Sequence, residues 1–452
     1  MLQHILFSHY IHFKIHHHDT VAFSSPTCYN GISMLKGFWI RNYKSLRQVG
    51  IGTCYTRFVF VNVERDSDVK PFQPLPYDLD AVTLFTGANG TGKSTTIDAF
   101  TFVSDCYRYG VEIACHKRGG FDALYSQGSK GPISFGFQYQ QQGEAEIATY
   151  AISIQRTKKS KVPFIESEIL LYQRDTETSP ETLPVIFLQN GVEKTIRYLA
   201  PDERMGNAEL TQIEFTDHGH LGLAALASHP KYPVLASFRS LFENWTLCYF
   251  TPDPARGLDS SLPRRQESPR GVSLSGVVRY IIKRYKNNLK PLFLRVAAAI
   301  PNIERILLDE TDPDKPMLSF QLKDRDNPVP ITHLSAATIR LFTYTLLLEE
   351  EEPAPLIVLE EPENGLDREH RTQFLETLNR FETMPHTGDP QIFVNTHHPA
   401  VPNEVRPSQV WVFEKDREGF TAVERASDSI LFDAETEQDN PQWFSVHFDE
   451  KR

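Results

Sequence analysis

Gly87-Ala88-Asn89-Gly90-Thr91-Gly92-Lys93-Ser94 fills the pattern G-x-x-x-x-G-K-[ST] in full. Glycines at those spacings let backbone N–H groups turn inward around phosphate oxygens. The lysine ammonium reaches the β- and γ-phosphates, and the serine hydroxyl ligates Mg²⁺. The chemistry is binding of a nucleoside triphosphate, expected to be ATP, by these eight residues together with Thr95. A phosphate loop alone hydrolyses nothing; it needs acidic partners at the end of a neighbouring strand. Leu356-Ile357-Val358-Leu359 followed by Glu360-Glu361 supplies an apolar strand ending in two carboxylates. Glu360 is expected to hold the Mg²⁺ shell and Glu361 to polarise the attacking water, since phosphoryl transfer needs positioning and charge stabilisation more than covalent chemistry. The plain alternative is a pair of solvated carboxylates at a strand end.

These groups need a scaffold that brings positions far apart in the chain together. The apolar run Ala81–Phe85 reads as a strand entering the phosphate loop, and Thr95–Ser104 has helical composition, giving a strand–loop–helix unit. Before it, Leu35–Leu46 reads as a strand and turn, Thr56–Glu64 as a further strand, and Pro71, Pro74 and Pro76 mark a loop. After it, PISFGFQYQ, EAEIATYAISIQ, VPFIESEILLYQR and PVIFLQ alternate apolar and polar residues in the manner of antiparallel strands, the first two about a Gln142-Gly143 turn. From about Leu221 to Leu307 the pattern turns helical, its best segment carrying Val278, Ile281, Ile282, Tyr285, Leu289, Leu292, Phe293 and Val296 at i, i+3, i+4 spacing, with Pro291 expected to kink or divide it. Leu334–Leu348 and Glu369–Phe381 read as helices, Pro355–Leu359 and Gln391–Asn395 as buried strands. The run Glu349–Glu352 reads as an exposed acidic connector. The expected fold is α/β: a largely parallel sheet flanked by helices, interrupted by an antiparallel β-lobe and a helical insertion. Five regions follow: an N-terminal extension (1–33), the first part of the head with the phosphate loop (34–125), the β-lobe (126–215), the helical insertion (216–330) and the second part of the head (331–452).

Composition bounds the function. With 452 residues, 40% hydrophobic and 23% charged, the chain matches an ordinary globular protein. No stretch approaches eighteen uninterrupted apolar residues, and the opening segment lacks a small-residue cleavage site, so a cytoplasmic protein with no membrane partner is expected. The five cysteines have no CxxC spacing, which argues against a disulfide framework or a zinc site. His16-His17-His18 reads as a solvated tail rather than a metal tract. A net charge of −11 repels nucleic acid as a whole, so any such contact must be local. Arg279, Lys283, Lys286 and Lys290 fall on one helical stripe near Arg264, Arg265 and Arg270. That stripe could meet nucleic-acid phosphates or simply be a solvated face.

Order and spacing together resemble a known group. Glu360–Asp367 (E-E-P-E-N-G-L-D) is similar to the D-E-P-x-x-x-L-D run of ABC-type ATPases, with Asn364–Asp367 in the place of the D-loop at the dimer seam. Thr396-His397-His398-Pro399 resembles the T-H-S-P switch of RecF, SMC and OLD-type heads, where His397 would sense the γ-phosphate. Leu334-Ser335-Ala336-Ala337-Thr338 resembles the signature motif, whose serine and helix N-terminus cap the γ-phosphate of the opposite protomer. Ile40–Leu46 looks like their shared opening strand. The resemblance runs from Leu35 to about Val412 and is nearest to predicted AAA-family ATPases with an ABC-like head, AAA_21-like, of the sort found in bacterial defence systems. It implies a P-loop NTPase head with catalytic Glu361, His397 and Lys93, nucleotide contacts at Gly87–Thr95 and Ser335, and Mg²⁺ at Ser94 and Glu360. It also implies a homodimer formed through ATP that acts on DNA or on a separate effector or nuclease. Ala337 stands where the signature motif usually has glycine, Glu360 replaces the commoner aspartate, and Gln127 is the candidate Q-loop glutamine. By residue type alone His397 would be a loop histidine before a proline, and Ser335 an N-cap.

Two further readings remain open: a module that senses nucleotide or nucleic acid with little turnover, and the ATPase subunit of a membrane transporter. The large central lobe and the missing signature glycines weigh against the transporter.

Overall fold

Short runs of apolar residues with two buried faces are what a covered parallel strand requires, and Leu356–Glu360 shows why. Leu356 and Val358 pack into one hydrophobic core, Ile357 and Leu359 into another, because side chains alternate across a strand. The structure, a computed structural model, describes residues 33–53, 78–141, 147–157, 161–175, 180–189, 195–198, 211–214, 219–226, 233–249, 285, 289–309, 317–350, 353–383, 390–429 and 444.

The chain begins with β1 (Ser33–Tyr43) and β2 (Leu46–Gly52), then β3 (Val82–Gly87) and helices α1 (Lys93–Tyr109), α2 (Val111–His116) and α3 (Phe121–Leu124). Strands β4 (Ile133–Gln141), β5 (Ile147–Arg156), β6 (Pro163–Asp175), β7 (Pro180–Gln189), β8 (Thr195–Tyr198) and β9 (Thr211–Glu214) follow. Next come α4 (Gly222–Leu226), α5 (Pro233–Asn244), β10 (Thr246–Tyr249), α6 (Leu289–Ala299), β11 (Ile303–Asp309), β12 (Met317–Leu322) and β13 (Val329–Pro330). The C-terminal part holds α7 (Ala336–Leu348), β14 (Leu356–Glu360), α8 (Arg368–Thr383), β15 (Gln391–Asn395), β16 (Val410–Lys415) and β17 (Thr421–Arg425).

A six-stranded sheet, ordered β10-β14-β15-β3-β16-β17, is parallel except for β17. The second sheet has eight antiparallel strands in the order β2-β1-β4-β5-β6-β7-β8-β9. One face of the parallel sheet shares a core with α1, α5 and this antiparallel sheet; the other packs on α6, α7 and α8. Phe38 of β1 ties the layers together. It is fully buried, 4.8 Å ring to ring from Phe100 of α1 and 6.2 Å from Phe393 of β15.

The α/β head with its parallel sheet and antiparallel lobe is as the sequence predicts, with differences in detail. The antiparallel ladder runs across the boundary expected at 125/126, because β1 pairs with β4. The region 216–330 is not wholly helical. β10 joins the parallel sheet and β11–β13 form a small sheet of their own, strands too short for a period to separate from a helical one. Pro291 sits in the first turn of α6, where its missing N–H breaks no intrahelical bond. Glu349 and Glu350 are not an exposed connector. Glu350 is 7% exposed, and Glu349 accepts from Arg380 of α8 and lies 3.7 Å from Arg295 of α6. The strand expected at Thr56–Glu64, the prolines at 71–76, the Gln142-Gly143 turn, the extension up to residue 32 and the basic residues at 264–286 lie outside the described residues, while Ser33, the last residue of the expected extension, opens β1; Lys290 is exposed.

Truncating Phe38 leaves a cavity where three elements meet. Phe38→Ala is expected to lose roughly 3–5 kcal/mol of stability, read as a lower denaturant midpoint at constant slope. A wild-type midpoint would show that the layers are held together elsewhere.

Candidate active site

The register of the parallel strands sets the site. Asn395 pairs with Phe85 on one side and with Glu360 on the other, so β3, β15 and β14 leave the sheet at one level, the carboxyl edge where ligands bind in open α/β sheets. From β3 the chain passes Gly87 (φ 140°), where an added Cβ would stand 2.2 Å from the Phe413 carbonyl oxygen, into the loop. Ala88, Asn89 and Gly90 are exposed, and α1 starts at Lys93 behind Gly92, its N-cap, at φ 117°. Only glycine takes such angles without strain, and a helix N-terminus presents unpaired N–H groups. Lys93 is buried and its Nζ donates to the carbonyls of Gly87 (2.7 Å) and Ala88 (2.9 Å), folding over the loop.

The loop is braced from behind by parts of the chain with no recognisable motif. Thr421 of β17 donates its hydroxyl to the Thr91 carbonyl at 2.6 Å, and its Oγ1 is 3.1 Å from Ser45 Oγ in the β1–β2 turn. The Thr421 N–H donates to the Ser45 carbonyl at 3.0 Å, and a Cβ on Gly92 would strike Thr421 Oγ1 at 2.2 Å.

Across the loop stands the acidic pair. Ser94 donates its hydroxyl to Glu360 Oε1 at 2.6 Å, a contact between residues 266 apart in sequence. Glu361 is left-handed at φ 48°, a conformation that costs a non-glycine residue of order 1–3 kcal/mol and persists where surrounding bonds impose it. Its N–H donates to the Asn395 carbonyl (2.7 Å), and its Oε2 accepts from Asn364 Nδ2 (2.6 Å). His397 Nδ1 lies 3.1 Å from Glu361 Oε1, off the line of a hydrogen bond. The expected metal pair, water-polarising carboxylate and switch histidine are therefore neighbours.

Glu363, unremarked in the sequence pattern, is 4% exposed and accepts the Thr396 hydroxyl at 2.5 Å, linking the acidic segment to the switch. Burial pushes its carboxyl above the usual range, against the opposing pull of the Thr396 hydrogen bond.

Ser335 caps α7, accepting the Thr338 N–H at 3.1 Å. Thr338 Oγ1 is 3.3 Å from His370 Nε2, and His370 Nδ1 is 2.8 Å from both carboxylate oxygens of Asp367. Asp367 also accepts the His370 N–H at the start of α8, and these bonds hold its carboxyl below the usual range. The segments expected as signature motif and D-loop are thus joined within one chain, on hydrogen bonds separate from those around Ser94. Ala337 is 9% exposed with its methyl in the core, so it does not crowd the exposed helix N-terminus beside Ser335. Gln127 is exposed in a turn after α3 and has no hydrogen bond to any of these residues. A Q-loop role for it has no support in this geometry.

A phosphate loop on β3–α1, an acidic strand two places away and a histidine just past the strand between give the layout of a P-loop nucleotide-binding fold. Residues 224–401 match the family described as "AAA domain, putative AbiEii toxin, Type IV TA system". No curated protein matches it. Solved structures similar to it include the SMC head bound to the C-winged helix domain of ScpA, at 13% identity and TM-score 0.44, covering 86% of this chain and 97% of that one. Another is the ATP binding subunit of an ABC transporter, at 13% identity and TM-score 0.30, covering 86% and 90%.

Two measurements probe this geometry. Thr421→Val should weaken ATP binding about three- to tenfold, the worth of one hydrogen bond, while Thr421→Ser retains wild-type affinity; equal affinities for the two variants would remove the brace. Glu363 is favoured protonated in the fold, so its ionisation costs stability once pH rises through the raised value and nothing below the ordinary glutamate range. Glu363→Gln is therefore expected to melt higher than wild type at neutral pH and equally in acid, as thermal melts across pH would show.

Proposed function

We propose that the protein binds ATP with Mg²⁺ and hydrolyses it, and that two copies close over the nucleotide to form a switch acting on DNA or on a partner effector. The observation that carries this is the 2.6 Å contact of the phosphate-loop Ser94 with Glu360, beside a Glu361 held between Asn364 and His397. Gly87–Thr95 would wrap the phosphates, and Lys93 would move from the loop carbonyls to the β- and γ-phosphates. Ser94 and Glu360 are hard oxygen donors of the kind that hold Mg²⁺ alongside substrate phosphates. When bound, the cation would supply neutralisation of phosphate charge. Glu361 would orient the attacking water through the carboxylate that Asn364 fixes in place beside His397, and His397 would stand next to the γ-phosphate.

The dimer reading is supported by Ser335, exposed at the head of α7 and tied through Thr338 and His370 to Asp367. A partner's γ-phosphate arriving there would meet the D-loop segment through the same hydrogen bonds. Among the described residues no helix is long and apolar enough to cross a membrane. A role in defence, a cytoplasmic setting and a nuclease partner extend the same proposal.

Turnover, ATP binding and ATP-dependent mass of wild type, Lys93→Ala and Glu361→Gln, with and without DNA, test it. Lys93→Ala should lose ATP binding. Glu361→Gln should bind ATP, lose roughly a hundredfold or more in turnover and accumulate as a dimer. Full turnover by Glu361→Gln removes the catalytic assignment, and a monomer at saturating ATP removes the switch. Stimulation by DNA selects the clamp reading, and indifference selects a protein partner.

A further inference from the structure

Asn395 closes β15 directly opposite Glu360, and its two amide atoms fare differently. The side chain is 1% exposed. Nδ2 stands 3.4 Å from Ser94 Oγ and 3.4 Å from Glu360 Oε1, at the outer limit of hydrogen bonding. Oδ1 is buried with no partner among the described residues. A buried carbonyl oxygen without a donor costs about 1–3 kcal/mol, and the Ser94–Glu360 contact at 2.6 Å beside it is tight by comparison.

The two ends of an asparagine amide have nearly the same shape, so a half turn about the last bond puts the oxygen where the nitrogen stands. Nothing anchors the other end, and the turn gives up no hydrogen bond there. Three oxygens then face one another: the Ser94 hydroxyl, the Glu360 carboxylate and the Asn395 amide. Without a cation they repel; with one they form the hard, mixed oxygen set that Mg²⁺ takes.

We propose that Asn395 is a ligand of the divalent cation, its amide oxygen joining Ser94 Oγ and Glu360 Oε1 when the cation binds. This rests on the ATP and Mg²⁺ reading above. It also gives the strand-end residue two tasks, since the same residue's backbone carbonyl holds the Glu361 N–H at 2.7 Å.

The test titrates Mn²⁺ in the presence of ATP into wild type, Asn395→Leu and Asn395→Asp. Bound cation is read by electron spin resonance, ATP affinity is measured separately in excess chelator, and thermal melts serve as the folding control. Asn395→Leu should need roughly tenfold more cation or beyond, a larger change than any in its cation-free ATP affinity, while Asn395→Asp should match or better the wild type. A purely structural asparagine would lower both affinities and the melting temperature together. Wild-type cation midpoints in both variants overturn the proposal. If the leucine variant unfolds, a weakened cation midpoint in a folded Asn395→Asp overturns it. Wild type that binds ATP with no cation dependence overturns the cation site, whereas wild type that binds no ATP at all overturns the ATPase reading beneath it.

Discussion

Everything at the site hangs from the parallel pairing of three strands. With Phe85, Asn395 and Glu360 side by side and strands about 4.8 Å apart, the phosphate loop, the switch and the acidic pair leave the sheet within two strand spacings of each other. A one-residue slip would turn every side chain to the opposite face, sending Glu360 into the core and Leu359 to the nucleotide. The two cores prevent that slip, because Leu356 and Val358 belong to one and Ile357 and Leu359 to the other. Packing on both faces thus sets the chemistry at the edge.

Unusual backbone and imperfectly paired polar groups are also found at that edge. Glu361 is left-handed, Glu363 carries a buried carboxyl whose Oε2 has no partner among the described residues, and Asn395 leaves its amide oxygen unpaired. Within the sheet itself the ladders are regular. Local departures of this kind are expected where a surface is built to take a ligand. The loop glycines are the counterpart, giving close approach to the Phe413 carbonyl and to Thr421.

Much of this was legible in the residues. The phosphate loop is a local motif, and Gln391–Asn395 is a strand whose bounds the apolar run alone marks. The pairing of Ser335 with its own helix followed from residue type. Less legible were residues whose role depends on a distant neighbour. Glu349 looked like part of an acidic connector because its partners on α6 and α8 are far along the chain. Thr421 carries no motif and acts on Thr91 across 330 residues. Glu363 lay inside a recognised run, yet its type gives no hint of burial.

By itself the sequence determined which atoms could meet phosphate, cation and water, because glycine spacing, a lysine and paired carboxylates after an apolar strand are local properties of the chain. The tertiary structure decided which of them meet one another. Only the strand order β14-β15-β3 puts Asn395 between Ser94 and Glu360, and only the β16–β17 hairpin brings Thr421 under the loop. Such contacts come from register and long-range packing, which no single stretch of residues encodes.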